Sequence, residues 1–150
     1  MSKLREQLYI LCCEYLNKRE GEIKHAIAEA QEAANNETKS SAGDKFETGR
    51  EVMQQDIELN MVRLSELNKS KITLEQIIPA QNSQVVIPGC VVITNNGNFY
   101  IAISAGQLKF ESVTYYAVSI ASPIGAKMAG QTKGYAFSLN GKNFEIEKVY

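Results

Sequence analysis

From Leu4 the apolar positions run Leu4, Leu8, Leu11 and Tyr15, a 4-3-4 spacing that sets them on one helical stripe. The pattern resumes in a shifted frame through Leu16, Ile23, Ile27, Ala30 and Ala34, with Gly21 as the weak point. A polar break, Ser40-Ser41-Ala42-Gly43-Asp44, follows. Beyond it Phe46, Met53, Ile57, Asn60, Leu64 and Leu67 keep a heptad-like spacing with one polar member, and Val52, Leu59 and Met61 widen the face. The second helix is predicted from about Lys45 to about Asn68. Two helices of roughly 25 to 30 residues, each with one apolar stripe, should fold back as an antiparallel coiled-coil hairpin with arms of roughly 40 Å. No third helix is on offer to cover their outer faces.

The period then changes. "QVVIPGCVVIT", "NFYIAIS", "SVTYYAVSIAS", "GYAFSLN" and "NFEIEKVY" are short runs rich in Val, Ile, Tyr and Phe, and Asn95-Asn96-Gly97-Asn98 and Asn140-Gly141 are hairpin signals between them. This predicts an antiparallel sheet. Ser122-Pro123 opens a short helical segment that Gly130 and Gly134 close. The fold class is therefore α+β: a helical hairpin over 1–74 with an acidic tip near 43–47, a linker at 75–79, and a small antiparallel β domain with one short helix over 80–150. The stretch Asn68 to Pro79 is the expected hinge.

With 150 residues, 44% of them hydrophobic and 22% charged, the chain has the composition of a folded protein of one domain or two small ones. Its net charge of -1 gives no global reason to expect nucleic acid or an anionic membrane as a direct partner. The charge is uneven: residues 1–78 carry 11 basic against 14 acidic side chains, and residues 79–150 carry 5 against 3. No apolar run approaches the roughly 18 residues of a transmembrane span, and the N-terminus lacks a signal-peptide pattern. A cytoplasmic protein is the expectation. Cys12, Cys13 and Cys90 form neither a disulfide framework nor a metal-ligand spacing and read as buried, reduced thiols. The single His25 leaves no histidine base for a nucleophilic triad.

Asp44 and Glu47 carry the candidate chemistry. Their spacing is that of a capping box, an N-cap side chain and the residue at N3 exchanging hydrogen bonds with each other's amides. The same pair, at the end of a two-helix arm and amid polar residues, would be presented outward. Alone it would hold Mg²⁺ weakly, since that ion keeps most of its water and needs further oxygens from a partner or phosphate. Both readings stand on the spacing.

The chain resembles the bacterial Gre-type transcript cleavage factors, the GreA/GreB family, over most of both halves. "REGEIKHAIAEAQEA" (Arg19 to Ala33) resembles the ascending arm, and Gly43-Asp44-x-x-Glu47 the family's Gly-Asp-Leu-x-Glu-Asn tip. "SPIGAKMAGQTKGY" (Ser122 to Tyr135) resembles its Ser-Pro-Ile-Gly segment, and "NFEIEKVY" its last strand. The chain departs from the pattern at Lys45, at Thr48, at Arg50 or Glu51 where an aromatic is usual, at Tyr135, and in extra polar residues within "AANNETKSSA".

The resemblance implies an FKBP-like C-terminal domain that docks on RNA polymerase beside its secondary channel, through Ser122, Pro123, Ile124 and Gly125 or with these as a plain strand-to-helix turn. It implies a coiled coil that enters the channel. Asp44 and Glu47 would then be the catalytic and metal-organising residues, helping to hold a second Mg²⁺ jointly with the polymerase and to orient a water that cleaves the backtracked RNA near its 3' end. Lys39, Lys45 and Arg50 would lie close to that RNA, or simply be solvated. The chain would be an accessory factor rather than an enzyme, a monomer, without tight affinity for free nucleic acid. The alternatives are a regulator that occupies the channel without stimulating cleavage, and an unrelated helical-hairpin interaction module.

Overall fold

A computed structural model describes residues 2–39, 43–77 and 82–150, with the side chains of residues 2 and 37–48 outside the description. Two long helices, α1 (Ser2–Lys39) and α2 (Gly43–Glu75), precede strands β1 (Val91–Thr94), β2 (Gly97–Ile101), β3 (Gly106–Phe110) and β4 (Val113–Val118), a short helix α3 (Pro123–Met128), and strands β5 (Ala136–Leu139) and β6 (Lys142–Val149). The contacts divide the chain into two units, Leu16–Ser70 and the combination of Met1–Tyr15 with Lys71–Tyr150. No helix among the described residues is long and apolar enough to cross a membrane.

In the unit Leu16–Ser70 the two helices pack against each other, with Gln31 and Ala34 of α1 beside Gln54 and Ile57 of α2. Ile23 and Ala30 on one helix and Ile57, Asn60 and Leu67 on the other are buried, Met53 and Leu64 partly so. This is the 4-3 heptad seam of two-stranded packing. Val52, Leu59 and Met61, expected to widen that face, are 48%, 50% and 54% exposed. A two-helix pair covers only a narrow stripe, and these positions fall outside it. Asn60 is satisfied within its own helix: its amide donates to the Asp56 carbonyl at 2.9 Å, and Arg63 donates to its Oδ1 at 3.4 Å. Gly21 is accommodated in an unbroken helix, exposed and with open space around it. His25 is exposed and lies 3.0 Å from Glu29, one turn on.

The other unit joins the base of both helices to the sheet. α2 runs to Glu75, past the expected end at Asn68 and through the first part of the expected hinge, because Leu74, and Ile77 just after the helix, are buried in this unit. Ile78 to Gln81 lie outside the described residues. On α1 the buried stripe is Leu4, Leu8 and Cys12, at steps of four, rather than Leu4, Leu8 and Leu11. The fully buried Arg5 donates to Asn82 Oδ1 at 2.6 Å, tying α1 to the segment that leads into the sheet.

The sheet has six strands in the order β3-β4-β2-β1-β6-β5. It is mixed, which corrects the antiparallel expectation: β2 and β4 run parallel, Phe99 beside Tyr116 and Ile101 beside Val118. The strand missing from the sequence reading is β3, which pairs with β4 across a two-residue turn and occupies the edge, leaving β4 to lie along β2. Glu111 and Ser112 make that turn with φ of 51° and 66°, a conformation usually signalled by Asn or Gly. The Asn140-Gly141 turn, φ 53° and 79°, has the expected residues and joins β5 to β6.

One face of the sheet carries Val92, Phe99, Ile101, Phe144 and Ile146, packed with Met128 of α3 and with Val86. Alternation sends Val91 and Tyr100 to the opposite face. There the helix base covers them: Tyr100 is fully buried, and desolvation first, then Cys12, Tyr9 and Cys13, raise its phenol pKa, against a lowering by Arg5.

The thiols follow suit. Cys12 and Cys90 are buried, Cys13 half-buried, and all three are free. Desolvation, helped by Cys13, pushes the Cys12 thiol from 9.0 up to about 12, so it is inert rather than nucleophilic at neutral pH.

Two outcomes follow from these packings. Asn60→Leu should raise the unfolding free energy by about 1 kcal/mol in a urea titration, because an apolar residue replaces a polar one in the seam. For Cys12 the folded pKa lies above the unfolded one, so its contribution is whole below pH 9 and falls away as pH rises toward 12. Urea titrations at pH 8 and pH 10 should therefore show wild type losing about 1 kcal/mol more over that interval than Cys12→Ala.

Candidate functional site

Two regions answer to the sequence candidates. The first is the start of α2. Asp44 is the second residue of α2. With helical backbone at both positions, Asp44 and Glu47 share one face, three residues apart. Two carboxylates so spaced are a donor set that suits Mg²⁺ only when water, phosphate or a partner completes the shell. Their side chains, like those of Lys39, the last residue of α1, and Lys45, lie outside the described residues. Arg50, two turns on, is exposed beside Asn35 and Gln54. Among the described residues no group of three or more His, Cys, Asp or Glu comes together.

The second is the Ser122 to Gly125 segment. Ser122 caps α3 with extended backbone, φ -65° and ψ 159°. Its hydroxyl donates to the Ser119 carbonyl at 2.6 Å and accepts from the Gly125 amide at 3.1 Å. Pro123 follows at the first turn, where no amide hydrogen is needed. Gly125 is buried, and a Cβ there would collide with the Ser119 carbonyl oxygen. Each of these residues thus has a local structural reason: cap, first-turn proline, and close approach of one backbone to another. Fully buried Met128 anchors the helix to the core.

This turn also forms one side of a groove of about 460 Å³ on the sheet. Pro123, Ile124 and Leu139 contribute aliphatic surface, and Phe99, Tyr116 and Phe144 aromatic surface. Phe99 and Tyr116 are in register across β2 and β4 with ring centroids 5.9 Å apart, and Phe144 of β6 lies 6.3 Å from Phe99. Phe99 and Phe144 are buried, while Tyr116 is 38% exposed. Asn96, Asn140 and Lys142 complete the lining from the two hairpin turns.

Those turns are locked to each other. Asn96 donates its side-chain amide to the Asn143 carbonyl at 2.5 Å, and Asn95 Oδ1 accepts from the Glu145 amide at 2.7 Å. Ser138 donates to Asn143 Oδ1 at 2.7 Å. Sequence reasoning singled out Pro123 and Ile124 but missed the aromatic residues beside them. The alternation along β2, β4 and β6 could have placed Phe99, Tyr116 and Phe144 on one face, once the parallel pairing of β2 with β4 was known.

The close approach at Gly125 is testable. Gly125→Ala should cost about 2–3 kcal/mol by forcing backbone apart, and Ser122→Ala about 1 kcal/mol through the lost cap, both read by thermal or urea unfolding.

Compared with known proteins, the chain is matched by no family model and by no curated protein.

Proposed function

We propose that this chain is a Gre-type elongation factor: it binds RNA polymerase at the secondary channel and stimulates the polymerase's own cleavage of backtracked RNA. The observation that carries the reading is the pairing, in one chain, of Gly43-Asp44-x-x-Glu47 at the start of the second of two packed helices with Ser122-Pro123-Ile124-Gly125 at the cap of a short helix on a six-stranded sheet. In this reading the β-rich part is FKBP-like, the chain is a cytoplasmic monomer without catalysis of its own, and the groove beside Pro123 and Ile124 is the polymerase-docking surface.

Asp44 and Glu47 act by supplying oxygens from one helical face to an ion whose other ligands come from the polymerase and RNA. Mg²⁺ held by Asp44 and Glu47 jointly with the polymerase would supply the second cation of a two-metal hydrolysis, in which attacking and leaving oxygens are each stabilised. Arg50, together with Lys39 and Lys45, offsets repulsion between the acidic pair and RNA phosphate. So few basic residues cluster there that affinity for free nucleic acid stays low.

Thr48, together with the polar stretch from Asn35 to Ser41, favours a second reading. There the chain fills the channel and excludes other factors without stimulating cleavage.

Stalled, backtracked elongation complexes separate the two. Wild type should shorten the RNA, while Asp44→Asn and Glu47→Gln should lower the cleavage rate at least about tenfold with unchanged circular dichroism and unchanged polymerase binding. Binding without any RNA shortening by wild type would replace the first reading with the second.

A further inference from the structure

The groove between Tyr116 and α3 sets the docking turn beside an aromatic sheet face. Its volume of about 460 Å³ falls within the roughly 300–1,000 Å³ of ligand sites. Phe99 and Phe144 lie buried in it, and Tyr116, its ring packed against Phe99, stands exposed at its side. The apolar surface is interrupted at the rim by two amides, Asn96 and Asn140, and the Asn140 side chain makes no hydrogen bond to the described residues. Lys142 is the one charged residue among those that line the groove, and it makes no ion pair with them.

We propose that this groove binds a short extended peptide segment of a partner, one apolar side chain inserted against Tyr116, Phe99 and Ile124, with an Asp or Glu next to it held by Lys142. An apolar side chain entering the groove gains contact with aromatic faces. The free amide of Asn140 can pair with a backbone carbonyl or amide of an extended segment, which would otherwise lose its water unpaired. Charge complementarity selects the flank: the lone cation at the rim favours an acidic neighbour and penalises a basic one. The hydrogen bonds of Asn95, Asn96 and Ser138 hold the two turns in place, so little ordering is needed on binding. The proposal rests on the polymerase reading only for which protein presents the segment; the recognition chemistry is a property of the groove.

The test uses the full chain without polymerase. Isotope-labelled protein is titrated with the blocked peptide Ala-Leu-Glu-Ala, with its Lys-for-Glu counterpart, and with its Ala-for-Leu counterpart, and amide shifts are followed by NMR. The first peptide should bind with Kd of about 1 mM or tighter and shift Asn96 to Phe99, Tyr116, Ile124 and Asn140 to Phe144. Both counterparts should bind at least about fivefold more weakly. Tyr116→Ala should weaken binding about fivefold and Tyr116→Phe should restore it, while Lys142→Glu should reverse the preference between the Glu and Lys peptides.

Shifts scattered away from the groove, or equal affinity for all three peptides, overturn the proposal. Because polymerase is absent, that failure would leave the cleavage assay's outcome independent. Conversely, peptide binding in a chain that does not associate with polymerase would sustain the groove and remove its assigned partner.

Discussion

The rest of the structure depends on the burial of β1 and β2 from both sides. Val91 and Val92 are adjacent and fully buried, as are Tyr100 and Ile101. Adjacent residues of a strand point to opposite faces, so both faces must be covered. Met128 and the aromatic cluster cover one. The base of α1, with Leu4, Leu8 and Cys12, covers the other. Leaving either face wet would expose several large apolar side chains, each worth about 1.5–3 kcal/mol when buried. This requirement extends α2 to Glu75 and makes the helical base a part of the sheet's unit rather than of the arm's.

Much of this architecture was legible. Helical spacing located α1 and α2, and continuous apolar runs located β1, β2 and β4. Asn140-Gly141 marked its turn because those residues tolerate positive φ. The β3 strand was not legible. Its sequence, Gly-Gln-Leu-Lys-Phe, has few β-branched residues, and its turn sets Glu111 and Ser112 at positive φ without the usual residues. Missing one edge strand changed the sheet from mixed to antiparallel. Edge and central strands are specified by tertiary partners that local pattern does not encode.

The candidate sites divide in the same way. Ser122-Pro123-Ile124-Gly125 could be read as a helix start because cap chemistry is local, and the capping bond from the Gly125 amide to Ser122 follows that reading. The groove beside it draws residues from four strands and two turns. No spacing along the chain relates Tyr116 to Phe144, since only the order of strands sets them on one surface. Asp44 and Glu47 are the opposite case. Their helical spacing is fully local, but the function it would serve depends on oxygens that another molecule must bring.

The unit that contains the sheet is discontinuous along the chain, Met1–Tyr15 with Lys71–Tyr150. During synthesis Leu8 and Cys12 leave the ribosome well before β6, which closes the sheet they cover and follows every other described element. At about 5–20 residues per second the base of α1 waits several seconds for its cover. The arm between them is helical and closes through contacts nearer in sequence, so it can form while the base is still bare. For that interval a stripe that is buried in the finished protein stands exposed, a natural handhold for chaperones.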